Sequence, residues 1–169
     1  TINKGTADKN KTSVGKNCLI MAYVHIAHDC IVGDHCIIAN GVTLAGHIKI
    51  DDFAILEGLV AVQQFVHIGA HSFIAGASLV RKNVPPYVKA AREPLAYIGI
   101  NSVGLKRRGY TADDVSTIEN IYKQIYILNK NVSEGMSKVA SSVADGKLKS
   151  EIMDFINSSE KGVIRSSLS

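Results

Sequence analysis

Proline is scarce in this chain of 169 residues: Pro85, Pro86 and Pro94 are the only three. Residues 1–84 therefore keep every backbone donor, and an unbroken ladder of strand hydrogen bonds is open to them. Cysteine is equally sparse. Cys18, Cys30 and Cys36 form an odd set with no disulfide framework, which fits a reducing, cytoplasmic setting. No apolar run approaches the length that crosses a membrane, and no secretory signal opens the chain. Charge of one sign is also modest. The formal value of +4 is too small to argue for nucleic acid as a partner. At 46% hydrophobic and 20% charged, the composition is that of a soluble globular protein with one or two domains.

What the sequence does hold is a repeat. From Val14 every sixth residue is aliphatic: Val14, Ile20, Ile26, Val32, Ile38, Leu44, Ile50, Leu56, Val62, Ile68, Ile74 and Val80. Four places after each stands a small or β-branched residue, from Cys18 and Val24 through Ser72, Ser78 and Val84. A helix does not keep a strict period of six, and a simple strand alternates only briefly. Two inward positions per hexad predict a parallel β-helix. Each hexad makes a short strand and a corner, and three hexads close one triangular coil. Stacked coils then lie roughly 4.8 Å apart. The pattern covers residues 14–85, or four coils. Thr1 is not Met and lies directly within patterned sequence, so further coils are expected to precede it.

The stretch HIAHDCIVGDHC, residues 25–36, packs histidine and cysteine densely but matches no standard zinc spacing. The hexad register sorts it. All three cysteines take the small inward place and are read as core fillers. Cys18 and Cys36 stack on adjacent coils, where a disulfide is geometrically conceivable. His28 and His25 fall near corners, where a side chain can face outward toward a neighbouring subunit. His47 follows His28 by one coil plus one residue, and Gln64 follows it by two coils. These three are expected to gather within about 10 Å along one edge.

The repeat stops at the prolines. A β-helix end exposes unpaired strand edges and needs a cap. The remainder reads as helical, which divides the chain into a β-helix over 1–86 and a helical domain over 87–169. Thr111 with Asp114 resembles a capping box. Val115, Ile118, Ile121, Tyr122, Ile125 and Leu128 then share one helix face. Further helices are predicted over Ser133–Ala144, stopped near Gly146, and over Leu148–Ile156. The segment NSVGLKRRGY, residues 101–110, reads as a basic turn with Lys106, Arg107 and Arg108. It suits either solvent or a phosphate, whose oxygens match the guanidinium fork.

The stretches TINKGT, HIAHDC, TLAGH, AVQQF, VPPYV and GLKRRGY follow one another from Thr1 to Tyr110. By them the chain resembles the UDP-N-acetylglucosamine 3-O-acyltransferases, a family of hexapeptide-repeat acyltransferases, over the C-terminal two-thirds of its members. The resemblance implies a mainly β fold: a left-handed parallel β-helix with a C-terminal α-helical domain. It implies transfer of an (R)-3-hydroxyacyl group from acyl carrier protein to the 3-hydroxyl of UDP-N-acetylglucosamine, the first step of lipid A biosynthesis. No cofactor and no metal are implied. His28 matches the general base, Asp29 a possible orienting carboxylate, and Gly46 a backbone donor to the oxyanion. His25, His47, Gln64, Asn101, Arg107 and Arg108 match substrate-contacting positions. Phe73 and Gly76 match the positions that measure acyl length, and the bare Gly76 implies a long chain. A homotrimer with sites between subunits is implied, with the basic turn, Lys123 and Lys130 as docking charges for the acidic carrier. Two departures stand out. Gln63 precedes Gln64 where the family commonly has histidine, and Val103 stands where it often has an acid.

Two rival readings share the fold. The sister N-acyltransferase of the same pathway acylates an amine, but GLKRRGY and the helical tail favour O-acylation. A γ-class carbonic anhydrase would bind zinc through interface histidines. The pairs His25/His28 and His67/His71 do not match its ligand spacing.

Overall fold

The computed structural model describes residues 1–166. Twelve two-residue strands, from Ser13–Val14 to Leu79–Val80, fall one per hexad. Each of the first nine pairs in parallel with its counterpart three hexads on, as Ile31 with Lys49 and Thr43 with Ala61. Three flat faces result. Face one holds the strands at 13–14, 31–32, 49–50 and 67–68, face two those at 19–20, 37–38, 55–56 and 73–74, and face three those at 25–26, 43–44, 61–62 and 79–80. The aliphatic series points inward; from Ile26 to Val80 every member is at most 4% exposed. The small series fills the remaining interior, and Cys30 and Cys36 are fully buried.

All three cysteines are free thiols. Their Sγ atoms donate to backbone carbonyls, Cys18 to Gly33, Cys30 to Ala45 and Cys36 to Asp51. Burial pushes the Cys36 thiol up to about 12, so it stays protonated and inert at neutral pH.

Every corner between Asn17 and Ala77 turns through one residue with positive φ, at Asn17, Tyr23, Asp29, His35, Gly41, His47, Phe53, Leu59, Phe65, His71 and Ala77. Only one is glycine. The inter-coil hydrogen bonds on both sides hold the other residues in this costlier region. Corner bonds such as His47 N–H to His28 O, at 3.0 Å, tie each turn to the coil before it.

Beyond Pro86 the structure corrects the expectation of a wholly helical remainder. Strands Val88–Ala91 and Ala96–Ile100 extend face two, and Arg165–Ser166 pairs at its outer edge. The open edge at Phe73–Ile74 supplies the first partner, and Val88, Lys89 and Ala90 alternate buried, exposed, buried. Residues 101–110 are not a plain turn either: α1 covers Ser102–Arg107, with Asn101 as its N-cap. Helix α2, Ala112–Tyr126, starts at the expected Thr111–Asp114 capping box. It ends before Leu128, which is 64% exposed and not part of the buried face. Helix α3 spans Val132–Ser142 behind an Asn131 cap, and α4 spans Lys147–Asn157. Gly146 therefore opens α4 rather than stopping α3.

The helices cap the last coil. Tyr122 Oη donates to Pro86 O at 2.6 Å, and Asn83 Oδ1 accepts from His67 N–H at 2.8 Å. The returning chain bonds Asn83 through Gly162 O and Ile164 N–H. No described helix is long and apolar enough to cross a membrane.

Leu44 is fully buried and Ile31 is 42% exposed, although both are strand residues. Leu44→Ala is expected to cost about 2–5 kcal/mol and Ile31→Ala less than about 1 kcal/mol, read as shifts of the urea midpoint.

Candidate active site

The edge between faces three and one carries two vertical rows. His28, Gly46 and Gln64 stack in one, and Asp29, His47 and Phe65 in the other, each step being one full coil. The positive φ at Asp29 and His47, 60° and 59°, turns the chain there and presents both side chains beside His28.

His28 Nδ1 lies 2.9 Å from Asp29 Oδ2. The imidazole is 37% exposed, whereas the Asp29 side chain is sealed from solvent. Burial alone would raise the Asp29 pKa. The hydrogen bonds from Thr6 and His28 outweigh it and bring the carboxyl down to about 2. A carboxylate is therefore present at neutral pH. It accepts Nδ1–H and leaves the Nε2 lone pair free to take a proton. His47 closes the group: its ring meets His28 edge to face at 5.1 Å, and its Nε2 lies 3.7 Å from Asp29 Oδ2. Phe65 stacks beneath His47 at 4.8 Å.

Gly46 needs to be glycine for space, not for its backbone angle. A Cβ there would sit 2.5 Å from His28 Cε1 and 2.7 Å from Nε2, so any side chain would evict the imidazole. Among the described hydrogen bonds the Gly46 N–H has no acceptor, while its carbonyl accepts from Phe65 N–H at 3.2 Å. Gln64 lies one coil beyond Gly46 and is half-buried. His25 stands on face three, in the strand that precedes this edge, and its Nδ1 lies 2.6 Å from Thr1 Oγ1.

The other expected site residues stand elsewhere. At the edge between faces one and two, His35, Phe53 and His71 stack at 4.7 and 4.8 Å, and Tyr87 continues the row at 5.6 Å. Arg108 lies over Phe53 at 5.3 Å, and its Nη1 is buried without a hydrogen-bond partner. Asn101 is occupied by the fold: Oδ1 caps α1 at Gly104 N–H, and Nδ2 donates to His71 O at 2.9 Å. Arg107 is exposed. A face separates this edge from His28, roughly 15–20 Å for six residues of strand and corner. Phe73 is on face two and Gly76 at the third edge. The Gly76 N–H donates to Glu57 Oε2 at 3.0 Å, and a Cβ there would come 3.2 Å from Gly58 O.

His28, Asp29 and His47 offer ligand atoms within 4.8 Å of one another, a spacing that could hold a metal ion. Asp29 Oδ2 already accepts from Thr6 Oγ1 at 2.6 Å and from His28. An ion ligated through His28 Nδ1 would displace the bond to Asp29. A cleft of about 710 Å³ between face one and α4 is lined by Asp51, Phe53, His71, Tyr87, Lys147 and Glu151. It includes neither His28, whose ring is exposed, nor His47, whose side chain is only 9% exposed.

Sequence reasoning missed Thr6, Asp8 and the stacked row through Phe53. Asp8 Oδ2 lies 3.5 Å from His47 Nδ1. The row was open to discovery by stepping one coil at a time from His35. Thr6 and Asp8 lie outside the repeat and carry no such signal.

A family model described as UDP-N-acetylglucosamine O-acyltransferase, domain 2, matches residues 83–164, and one for bacterial transferase hexapeptides matches residues 11–46. A curated acyl-[acyl-carrier-protein]–UDP-N-acetylglucosamine O-acyltransferase of Thiobacillus denitrificans is 43% identical over 98% of this chain and 64% of its own length. The UDP-N-acetylglucosamine acyltransferase structure from Francisella novicida superposes with a TM-score of 0.91 at 40% identity, covering 98% of this chain and 63% of that one. The Campylobacter jejuni structure gives 0.88 at 30% identity, over 97% and 69%. The chain thus spans just under two thirds of the curated relative.

His71 supplies a test of the edge that carries Arg108. Burial, and then the nearby Arg108 charge, hold its pKa at about 4, against an ordinary 6.5. The unfolded chain takes up this proton and the folded one resists it. Its contribution to stability is therefore complete above pH 6.5 and lost as pH falls toward 4. His71→Phe keeps the stack and is expected to flatten the melting temperature between pH 6.5 and 4, measured against the parent protein.

Proposed function

Because the chain belongs to the UDP-N-acetylglucosamine O-acyltransferase family, we propose that its protein moves an (R)-3-hydroxyacyl group from acyl carrier protein to the 3-hydroxyl of UDP-N-acetylglucosamine. The observation that carries this reading is the exposed His28 hydrogen-bonded at 2.9 Å to the sealed, ionised Asp29. A sugar hydroxyl is a poor nucleophile until a positioned base removes its proton. His28 Nε2 takes that proton as the sugar oxygen attacks the thioester carbonyl. Negative charge moves onto the carbonyl oxygen, and the unengaged Gly46 N–H is the donor for it. When the tetrahedral intermediate collapses, the carrier thiolate leaves and the imidazolium returns the proton to it. The donor is already activated as a thioester, so the balance calls for no cofactor.

His25, His47 and Gln64 contact the sugar in this reading, and Arg107, Arg108 and Asn101 the nucleotide and carrier. Arg108 keeps an unpaired Nη1 donor suited to a phosphate oxygen. Asn101 is committed to its cap and acts by setting the pose of α1. His28 and Arg108 stand on different edges, which supports a site completed by a second copy. The outward row of face two, Leu19, Ile37, Ile55 and Phe73, supplies apolar surface for packing in a homotrimer. A cytoplasmic location follows from the substrates. The curated relative's O-acyltransferase name favours this reading over the N-acyltransferase and carbonic anhydrase alternatives.

The test is a transfer assay on the full-length protein with UDP-N-acetylglucosamine and a series of hydroxyacyl carriers. His28→Ala is expected to lower kcat/KM by on the order of 10²–10⁴, and turnover near the parent rate overturns the base assignment. Gly76→Met is expected to move donor preference to shorter chains, because its side chain enters space now bounded by Glu57 and Gly58. Unchanged selectivity removes Gly76 from the length-setting role.

A further inference from the structure

The segment before the first strand lies against the candidate site. Thr6 reaches across 23 residues of sequence to Asp29 with both of its donors. Its backbone N–H donates to Oδ1 at 2.9 Å, and its hydroxyl donates to Oδ2 at 2.6 Å. The same hydroxyl oxygen is 3.4 Å from the Asp8 N–H, which helps to fix its orientation. Thr12 holds the other side of the turn, its Oγ1 accepting the Asp29 N–H at 2.8 Å. Asp29 is thus clamped at the carboxylate and at the backbone by two threonines outside the hexad pattern.

We propose that Thr6 is a positioning residue for His28, acting through Asp29, by fixing the carboxylate oxygen that accepts the imidazole Nδ1–H. Oδ2 is the shared atom: the Thr6 hydroxyl and His28 Nδ1 both point at it, and His47 Nε2 stands 3.7 Å away. Without the hydroxyl, Oδ2 loses its shortest bond, and the carboxylate can rotate toward His47. The ring of His28 then loses the acceptor that selects its tautomer. The bond is short and charge-assisted, the class whose removal is felt most.

The inference rests on the reading of His28 as base, and the experiment separates the two. In the full-length protein, Thr6→Val keeps the β-branch and the backbone N–H but deletes the hydroxyl, and Thr6→Ser keeps the hydroxyl. Thr6→Val is expected to lower kcat on the order of tenfold with the KM for UDP-N-acetylglucosamine changed less than about threefold. Thr6→Ser is expected to restore most of the rate. The Asp29 carboxyl, followed by carbon NMR, is expected to titrate higher in Thr6→Val than its starting value of about 2. Parent kcat in Thr6→Val, or equal losses in Val and Ser, overturns the proposal. Turnover in His28→Ala overturns the base assignment instead, while the Asp29 titration still reports whether Thr6 holds the carboxylate.

Discussion

The constraint on which the molecule depends is the fixed step of three hexads between coils. Backbone N–H groups bond carbonyls of the next coil, as Ile31 to Ile48 and Gly33 to Ile50, both at 2.8 Å. Each residue therefore sits directly over its counterpart in the next coil, about 4.8 Å away. That single repeat fixes the core, since it stacks aliphatic on aliphatic in the interior. It also fixes the edges, where the same step puts His47 over Phe65 and Phe53 over His71. One inserted residue in a coil would turn the inward set outward and break the row of His28, Gly46 and Gln64 at the same time.

Much of this was legible because the hexad period is a property of the sequence. Twelve aliphatic residues in one register specify the strands, and the corner offset places His28 and His47 on a shared edge. The strands at 88–91 and 96–100 were not legible. They follow no hexad period, and their pairing answers an open edge at Phe73–Ile74 that exists only once the coils are built. Helix α1 was hidden for a different reason. Its nucleus is the Asn101 cap, and three adjacent cations drew attention from it. Thr6 was beyond sequence reasoning altogether, because a contact 23 residues away that belongs to no repeat has no period to reveal it.

The fold places histidines in contrasting environments with one repeating device. His71 is sandwiched between Phe53 and Tyr87 with Arg108 nearby, and burial holds its pKa at about 4, so it is neutral at pH 7. Its Nε2 lies 3.2 Å from Tyr110 Oη, and Tyr87 Oη in turn donates to Glu151 on α4. That histidine braces the junction of coil and helices. His28 is met by one ring only, His47 edge to face, and is not sandwiched between rings. It has a glycine beneath, a carboxylate at its side and solvent in front. Proton transfer needs that access, so position 28 suits a base and position 71 does not.

The open edge also decides how the chain must work. An isolated coil stack gives His28 no wall opposite Nε2, and water there would screen the charge that develops on the carbonyl oxygen. The cationic groups Lys106, Arg107 and Arg108 stand a full face away. The proposed ligand, with a sugar hydroxyl and a diphosphate, would have to span a whole face of one copy to engage both His28 and Arg108. On the proposed reading, a neighbouring copy turned so that its Arg108 edge faces this His28 edge removes both difficulties at once: it excludes water and brings a cation toward the sugar. On the proposed reading, the repeat leaves the base on one edge and the cations on another, and assembly of copies rather than folding is what joins them.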